Sequence, residues 1–283
     1  MSGNEKTFLY APNVAINYQV RGHGPTVLVF LHGFAAALTT WDDLRDLFPV
    51  DRFTLYLLDL KGFGFSSKPD DGRYGLEDQA AIVTAFLEWK GLGNVVLVGH
   101  SLGGGIALIT LLRAAAAGNT ELIGRLVLID SAAYPQRLPR LFRLLRLPLV
   151  GRFLLESVPV RWIVRLNLAF VYHDRSTMSA ERIDRYVTCF SRKGISAVFI
   201  RTARQLQPAT YADYIARYRT IALPTLVVWG DDDRVVAPVH GERLAREIPG
   251  ARLIIISACG HNPHEERPHE TYAAICSFLE ETE

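Results

Sequence analysis

The chain has 283 residues, of which 49% are hydrophobic and 21% are charged, and its formal net charge is +2. This composition excludes a disordered chain, and so small a net charge gives no reason to expect a nucleic-acid partner. The three cysteines, Cys189, Cys259 and Cys276, are an odd number without a CxxC pair, so we expect neither a disulfide framework nor a zinc site. The first ten residues lack the apolar core of a signal peptide, and no apolar run has the length of a membrane span, so the expected location is the cytoplasm.

Short, continuous apolar runs recur along the chain and are separated by stretches with helical spacing. Such unbroken runs are typical of strands that are buried on both faces of a parallel sheet. They predict strands at 26–31, 53–58, 95–98, 125–129, 225–229 and 252–256. Helical spacing predicts helices near 38–48, 76–90, 102–117, 239–248 and 268–281. This alternation predicts an α/β fold, a mostly parallel central sheet with helices on both faces, and the alternating segment 11–20 predicts an antiparallel strand at its edge.

The strand–helix alternation stops between residues 134 and 220. This segment has 16 Lys and Arg against 5 Asp and Glu, a net charge of +11, whereas the rest of the chain has 15 against 24, a net charge of −9. The chain is therefore expected to divide into a core, residues 1–133 and 221–283, and a basic helical lid, residues 134–220, inserted over one edge of the sheet.

The segment VVLVGHSLGGGIAL, residues 95–108, passes from an apolar run into a cluster of glycines, with Ser101 at the corner. Its centre, GHSLG, fits the pattern G-x-S-x-G between a predicted strand and a predicted helix. In this pattern the small neighbours leave room for a strained turn that presents a nucleophilic serine, and the N–H groups at the start of the helix point toward the site. The alternative is a glycine-rich packing turn with a capping serine.

A nucleophilic serine needs a base, and the base needs an acid that orients it. His261 follows the last predicted strand, and three aspartates at 231–233 follow the strand before it. Together with Ser101 they lie just beyond the carboxyl ends of strands, where open α/β sheets carry their active sites. The order Ser, Asp, His is the order found in α/β-hydrolases.

Four segments together resemble the α/β-hydrolase superfamily, in its lid-bearing branch of serine esterase-like enzymes, over nearly the whole chain. FLHGF at 30–34 resembles that family's HG-x oxyanion loop. DLKGFGFS at 59–66 resembles its D-x-R-G-x-G-x-S turn, with Lys61 where arginine is usual. WGDDDRVVAP at 229–238 resembles G-x-x-D-x-x-x-P, and GHNPHEERP at 260–268 resembles G-H-x-x-x-x-E-x-P.

The resemblance assigns a role to particular residues. It implies Ser101 as nucleophile, His261 as base and Asp233 as orienting acid, with an acyl-enzyme intermediate and with no metal or cofactor. The backbone N–H groups of Phe34 and Leu102 would form the oxyanion hole, and the Phe34 side chain would line the acyl pocket.

Three neighbouring residues have less certain roles in this reading. Asp130, after the strand 125–129, is an alternative acid, because some relatives carry the acid there. His264 is expected to be a surface or loop residue, and Cys259 a small packing residue.

The expected substrate is a small-molecule ester, and hydrolysis of medium-chain apolar acyl esters is the favoured function. A carbon–carbon bond hydrolase of the meta-cleavage type is the main alternative, although such relatives usually have tryptophan where this chain has Asn262. Thioesters and lactones stay open as substrates, as does a receptor that uses the fold as a sensor. Haloalkane dehalogenases and typical epoxide hydrolases need a carboxylate nucleophile, so Ser101 argues against both.

The predicted lid begins with an amphipathic stretch. At helical spacing, Leu138, Leu141, Phe142 and Leu145 fall on one face, and the other face is basic, with Arg137, Arg140, Arg143 and Arg146. The arginines either pair with the acidic core or give the lid a weak attraction to lipid surfaces or anionic substrates. The sequence is silent on the oligomeric state.

Overall fold

The computed structural model of the chain describes residues 5–136, 143–144 and 146–282. Eight strands form one sheet: β1 Glu5–Ala11, β2 Val14–Gly22, β3 Thr26–Leu31, β4 Phe53–Leu58, β5 Val95–His100, β6 Ile123–Ile129, β7 Thr225–Gly230 and β8 Arg252–Ile256. Their order across the sheet is β1-β2-β4-β3-β5-β6-β7-β8. β2 runs antiparallel to both β1 and β4, and the pairs from β4 to β8 are all parallel.

The mostly parallel sheet confirms the predicted fold class. The sequence predicts an antiparallel strand over 11–20 at the edge of the sheet, and the edge position is wrong. The observed antiparallel strand, β2, is second in the sheet, and β1 lies outside it. The chain turns at Pro12 and Asn13, so the alternating pattern covers a hairpin rather than a single strand. Phe8 of β1 packs on Phe86 and Trp89, at ring distances of 5.7 and 4.9 Å, which gives the outer strand a buried anchor.

The described residues form eleven α-helices: α1 Asp42–Arg45, α2 Leu76–Trp89, α3 Leu102–Ala116, α4 Pro148–Ser157, α5 Val160–Val171, α6 Ala180–Phe190, α7 Ile195–Gln205, α8 Tyr211–Ala216, α9 Val239–Glu247, α10 Pro263–Glu266 and α11 Pro268–Glu281. Two hydrophobic clusters lie on opposite faces of the sheet. One joins the strands to α2, α3 and α9, and the other joins them to α1 and α11. All residues of β5 and β7 are buried, which explains why these strands read as unbroken apolar runs.

Between β6 and β7 the described residues are helical and contain no strand, as the sequence pattern indicates. We call residues 134–220 the inserted segment. In it α5 packs on α6 and α4 packs on α7, and Phe199 of α7 contacts Phe34 beyond β3 at a ring distance of 5.2 Å. The inserted helices therefore reach the carboxyl ends of the strands.

Most of the predicted amphipathic stretch lies outside the described residues, namely Arg137, Leu138, Arg140, Leu141, Phe142 and Leu145. Arg143 and Arg146 are described and exposed. None of the described helices has both the length and the apolar character needed to cross a bilayer.

Candidate active site

Ser101 is the single residue between the end of β5 and the start of α3. Its backbone has φ 52° and ψ −116°, a left-handed conformation that costs a non-glycine residue about 1–3 kcal/mol. The turn is tight because the neighbouring glycines let the backbones touch. A Cβ added to Gly99 would lie 2.4 Å from the carbonyl oxygen of Gly103, and one added to Gly103 would lie 2.1 Å from that of Leu31. The glycine cluster therefore serves the turn at Ser101.

A chain of two hydrogen bonds joins Ser101, His261 and Asp233. The Nδ1 atom of His261 lies 2.7 Å from Asp233 Oδ2, and its Nε2 atom lies 2.9 Å from Ser101 Oγ. Because the carboxylate only accepts, Nδ1 carries the ring proton, and Nε2 is left to accept the serine proton. All three side chains are buried. The structure thus brings together the three residues that the sequence predicts.

Of the three consecutive aspartates, only Asp233 contacts His261 in the described part of the chain. Its second oxygen, Oδ1, accepts from the backbone N–H groups of Val235 and Val236 at 2.7 and 2.9 Å, which fixes the carboxylate. Asp231 accepts instead from the N–H of Cys259 at 3.2 Å. Asp232 pairs with His173 and Arg234 at the surface.

Asp130, the alternative acid, lies beside this chain without joining it. It follows β6 directly and is fully buried, and its Oδ1 accepts from the N–H of Gly230 at 3.0 Å. Its Oδ2 makes no hydrogen bond within the described structure. Burial, and next the neighbouring carboxyl of Asp233, hold the pKa of Asp130 well above its usual range. The same burial disfavours a charged Asp130, and so disfavours Asp130 as the anionic partner of a histidine.

His100, Asp130 and His261 each place one ligand-type atom within 4.8 Å of the others. Both ring nitrogens of His261 are already engaged, and Nε2 of His100 donates to the carbonyl oxygen of His261 at 2.8 Å. Within the described residues this cluster keeps two uncommitted ligand atoms, Nδ1 of His100 and Oδ2 of Asp130, which is fewer than the three protein ligands of a typical metal site.

Three further histidines, His32, His100 and His264, are buried in the protein close to the site. Burial lowers the pKa of His32, and lowers those of His100 and His264 well below the usual value, so these rings are neutral. The expectation of a surface or loop position for His264 is wrong: it is fully buried, and its ring centre lies 4.4 Å from that of His100, with the rings tilted by 55°. It also shares a hydrogen bond of 2.9 Å with Thr40. His32 accepts from the N–H of Leu60 at 3.0 Å.

The predicted oxyanion groups lie on either side of Ser101. Leu102 is the first residue of α3, so its N–H has no acceptor within the helix. Phe34 follows Gly33, and Gly33 lies close to Ser101. A Cβ added to Gly33 would lie 3.1 Å from the Cβ of Ser101. Asp59 holds this loop by accepting from the N–H of Leu38 at 2.8 Å. The role of the two N–H groups in binding an oxyanion stays a prediction.

Lys61, which departs from the family pattern, is buried and fully engaged. Its Nζ atom donates to Asp71 Oδ2 at 2.6 Å and to the carbonyl oxygen of Arg73 at 2.8 Å, and it lies 4.8 Å from the ring centre of Tyr74. The lysine therefore holds the 59–66 turn to the segment before α2.

Phe34 lines three cavities, and Ser101 lines two of them. The apolar cavity, about 200 Å³, is lined by Phe34, Ala35, Leu154, Leu155, Val158, Ile163, Leu166, Asn167, Phe190 and Phe199. The histidine cavity, about 60 Å³, is lined by Phe34, Ala35, Ala36, His100, Ser101, Asn167, Phe170, Val171, Tyr186, Val235, His261 and Asn262. The glutamine cavity, about 50 Å³, is lined by Phe34, Ser101, Leu102, Ala132, Tyr134, Gln136, Leu206, Gln207, Tyr211, Val235 and Val236. Among the described residues no lysine or arginine lines any of the three.

Two glutamates that sequence reasoning missed connect the inserted segment to the loop of His261. Three groups converge on Glu265 Oε2: the hydroxyls of Tyr172 and Tyr186, at 2.6 and 3.0 Å, and Nδ2 of Asn262, at 2.7 Å. Glu266 accepts from the N–H groups of His173 and Gly260 at 2.8 and 2.9 Å. The signal in the sequence is a pair of acidic residues four and five positions after the candidate base.

A family model described as alpha/beta hydrolase fold matches residues 26–268. The chain belongs to the alpha/beta hydrolase family. It is 30% identical to the uncharacterised hydrolase YugF of Bacillus subtilis, with 90% of each chain covered. It is 28% identical to a 2-hydroxy-6-oxononadienedioate/2-hydroxy-6-oxononatrienedioate hydrolase of Burkholderia vietnamiensis, with 93% of this chain and 90% of that protein covered.

Among solved structures, the chain is similar to a thermophilic esterase from Thermogutta terrifontis, with a TM-score of 0.80, 23% identity and 99% of each chain covered. At that identity the likeness concerns the fold. The family model and the relatives in sequence support a hydrolase and do not select the bond that is cleaved.

Proposed function

We propose that this protein is a serine hydrolase that cleaves carboxylic esters, with a preference for medium-chain apolar acyl groups. The observation that carries the proposal is the buried hydrogen-bond chain from Ser101 through His261 to Asp233. That arrangement is the one by which a serine hydroxyl becomes a nucleophile at neutral pH.

The proposed reaction has two steps. In the first, His261 Nε2 takes the proton of Ser101 Oγ as the oxygen attacks the ester carbonyl, and then gives this proton to the leaving alcohol. In the second, His261 takes a proton from the water that attacks the acyl-enzyme, and it returns this proton to Ser101 Oγ as the bond to the acyl group breaks and the acid is released. Asp233 stabilises the imidazolium in both steps. The N–H groups of Phe34 and Leu102 stabilise the oxyanion, and one such donor contributes about 3–4 kcal/mol.

The cavity linings favour a neutral substrate. The Burkholderia vietnamiensis relative is named for a dioate, which carries two carboxylates. A buried carboxylate needs a cationic or hydrogen-bonding partner, and no described lysine or arginine lines the three cavities that share Phe34. The apolar cavity of about 200 Å³ is smaller than pockets for drug-sized ligands, so it suits an acyl chain of modest length.

Carbon–carbon bond hydrolysis of the meta-cleavage type is the second candidate. A relative at 28% identity over nearly the whole chain is named as a 2-hydroxy-6-oxononadienedioate/2-hydroxy-6-oxononatrienedioate hydrolase. The same serine, histidine and aspartate would serve it. Cleavage of a dienone acid without cleavage of simple esters would favour this candidate.

The test is hydrolysis of p-nitrophenyl esters from acetate to dodecanoate by the wild type and Ser101→Ala. We expect an optimum at intermediate chain length that Ser101→Ala abolishes. Ser131→Ala is the matched control, since Ser131 is buried beyond β6 and its Oγ makes only contacts of 3.4 Å.

A thioester, a lactone and a 2-hydroxy-6-oxo-dienoate are assayed in parallel. Undiminished ester hydrolysis in Ser101→Ala would contradict the serine mechanism. Turnover of only the dienoate would replace the ester assignment, and ligand binding without any turnover would point to a receptor.

A further inference from the structure

The outward faces of α4 and α5 carry an unusual concentration of exposed apolar side chains. Fifteen large apolar side chains are exposed in the described structure, and eight of them lie between residues 144 and 170. Leu149, Phe153 and Trp162 are 86%, 69% and 62% exposed. Contiguous apolar surface on this scale marks an interaction site more often than chance exposure.

Helical spacing gathers these side chains on one side of each helix. Leu149, Val150 and Phe153 lie within one turn on α4 and face outward, as do Trp162 and Leu166 on α5. The inward side of α5 is fully covered, with Val164 and Leu168 buried. Only two residues, 158 and 159, separate the helices, and both helices line the apolar cavity.

The same surface is basic. Arg143, Arg146 and Arg165 are exposed, and they form no ion pair within the part of the chain that the structure describes. Arg152 pairs with Glu156 on its own helix, and Arg161 pairs with Asp184 on α6. Apolar side chains bordered by unpaired arginines match the interface of an anionic bilayer, where the apolar groups enter the acyl boundary and the arginines meet the headgroups.

The surface also adjoins the mouth of the apolar cavity. Leu154, Leu155 and Val158 line that cavity from α4, and Ile163 and Leu166 line it from α5. Leu166 is at the same time 66% exposed, so it belongs both to the cavity wall and to the outer surface.

We propose that this face, the outward sides of α4 and α5 with Arg143 and Arg146, docks on the surface of an anionic lipid bilayer. The occupant is a bilayer rather than a second copy of the chain, because a symmetric pairing of this face with itself would bring like-charged arginines together. Docking would place the mouth of the apolar cavity at the lipid surface. Binding of vesicles is measured without turnover, so its outcome is independent of the proposed ester hydrolysis.

The experiment is co-sedimentation of the full chain with vesicles of phosphatidylcholine alone and of phosphatidylcholine mixed with phosphatidylglycerol, at low and high salt. The wild type is expected to sediment with the mixed vesicles, less so at high salt, and not with phosphatidylcholine alone. Arg143→Glu/Arg165→Glu is expected to weaken binding about tenfold or more. Its control for net charge is Lys6→Glu/Arg246→Glu, at exposed positions of the core, which is expected to bind as the wild type does.

The apolar contribution is tested with Leu149→Ser/Phe153→Ser, which is also expected to lose binding about tenfold. The control is Leu9→Ser/Val239→Ser, which removes two exposed apolar side chains, 66% and 55% exposed, from the core. Absence of binding to mixed vesicles, or equal losses in the test and control variants, would overturn the proposal. So would light scattering that shows a dimer which Leu149→Ser/Phe153→Ser dissociates while vesicle binding is unchanged.

Discussion

The backbone N–H of His261 donates a hydrogen bond of 2.7 Å to the carbonyl oxygen of Val171. Val171 is the last residue of α5, so the proposed base is held by the inserted segment itself. On its other side the carbonyl oxygen of His261 accepts from His100 Nε2 at 2.8 Å. Any displacement of the end of α5 would therefore move His261, and this end of the inserted segment is part of the site.

Removal of Glu265 should loosen this attachment. Three donors converge on its Oε2 atom, and burial raises the pKa of the Glu265 carboxyl while the hydrogen bonds and Arg182 oppose that rise. Glu265→Ala leaves those donors buried and unpaired, so the free energy of unfolding should fall by about 3 kcal/mol, with a loss of kcat. Urea unfolding and ester kinetics check this. Glu281→Ala, which removes an exposed carboxylate paired with Arg252, is the control and should leave stability unchanged.

Asp233→Asn should lower kcat for p-nitrophenyl butyrate by about 10⁴-fold, because the amide no longer enforces the correct histidine tautomer. Asp130→Asn should change kcat by less than about tenfold, since Asp130 makes no hydrogen bond to His261 in the described structure. Equal losses in the two variants would show that both carboxyls orient the base.

Asp130 should also impose a pH dependence on stability. Its native pKa is raised well above that of the unfolded chain, so the native state keeps this proton to higher pH. The contribution to the free energy of unfolding is therefore full below about pH 4 and is lost as the pH rises through the native pKa. Asp130→Asn lacks this loss, so it should gain stability relative to the wild type at about pH 7 and not at about pH 3. Urea unfolding at both pH values measures this difference. A free energy of unfolding that is lower than that of the wild type by the same amount at both pH values would contradict the prediction.

Phe34→Ala should shift the preferred acyl chain toward longer esters. The backbone N–H is retained while the apolar and histidine cavities widen, so kcat/KM for the shortest esters should fall about tenfold as packing is lost. Phe65→Ala, which removes an exposed ring that lines none of the three cavities, should keep the wild-type profile. An unchanged optimum in Phe34→Ala would separate this side chain from the acyl pocket.

The cysteines should be inert toward iodoacetamide in the native protein. Burial raises the pKa of the Cys189 thiol to about 12, and it also raises the pKa values of Cys259 and Cys276. Since only the thiolate reacts, activity should survive treatment at about pH 8, with Cys276 as the most accessible of the three. Mass spectrometry of the treated protein, beside a sample unfolded in urea, measures this. Rapid modification of Cys259 with loss of activity would contradict it.

The inner part of the sheet could be predicted closely because strands such as β5 and β7 are buried on both faces. Such strands need apolar residues at most positions, and the ends of β3 and β4 coincide with the apolar runs. The ends of β8 also coincide with an apolar run, although this edge strand is mostly only partly buried. β1 was missed because it is an edge strand: Leu9 and Tyr10 are exposed, and only Phe8 is firmly packed. The sequence pattern of β1 is weak because this strand pairs with one neighbouring strand and packs on the core with one face only.

The core of the candidate site was predictable for a different reason. Ser101, Asp233 and His261 each follow a strand, and parallel strands bring their carboxyl ends together whatever the helices do. The position of Glu265 against Tyr172 and Tyr186 depends on how the inserted helices pack on the core, which no local spacing specifies. The burial of His264 follows from that same packing.

Phe34 lines both an apolar cavity and a more polar cavity, so the two sides of the site differ in polarity. On one side the apolar cavity offers almost only hydrocarbon, and on the other the glutamine cavity offers the amides of Gln136 and Gln207. Consider two isomeric esters in which the hydrocarbon chain and the polar group exchange places across the ester linkage. Under the proposed function, the site would bind these two isomers with different affinities. Under the proposed function, the acid half and the alcohol half of an ester would be sorted before any bond is broken, so the site would distinguish the two ends of a substrate as well as its size.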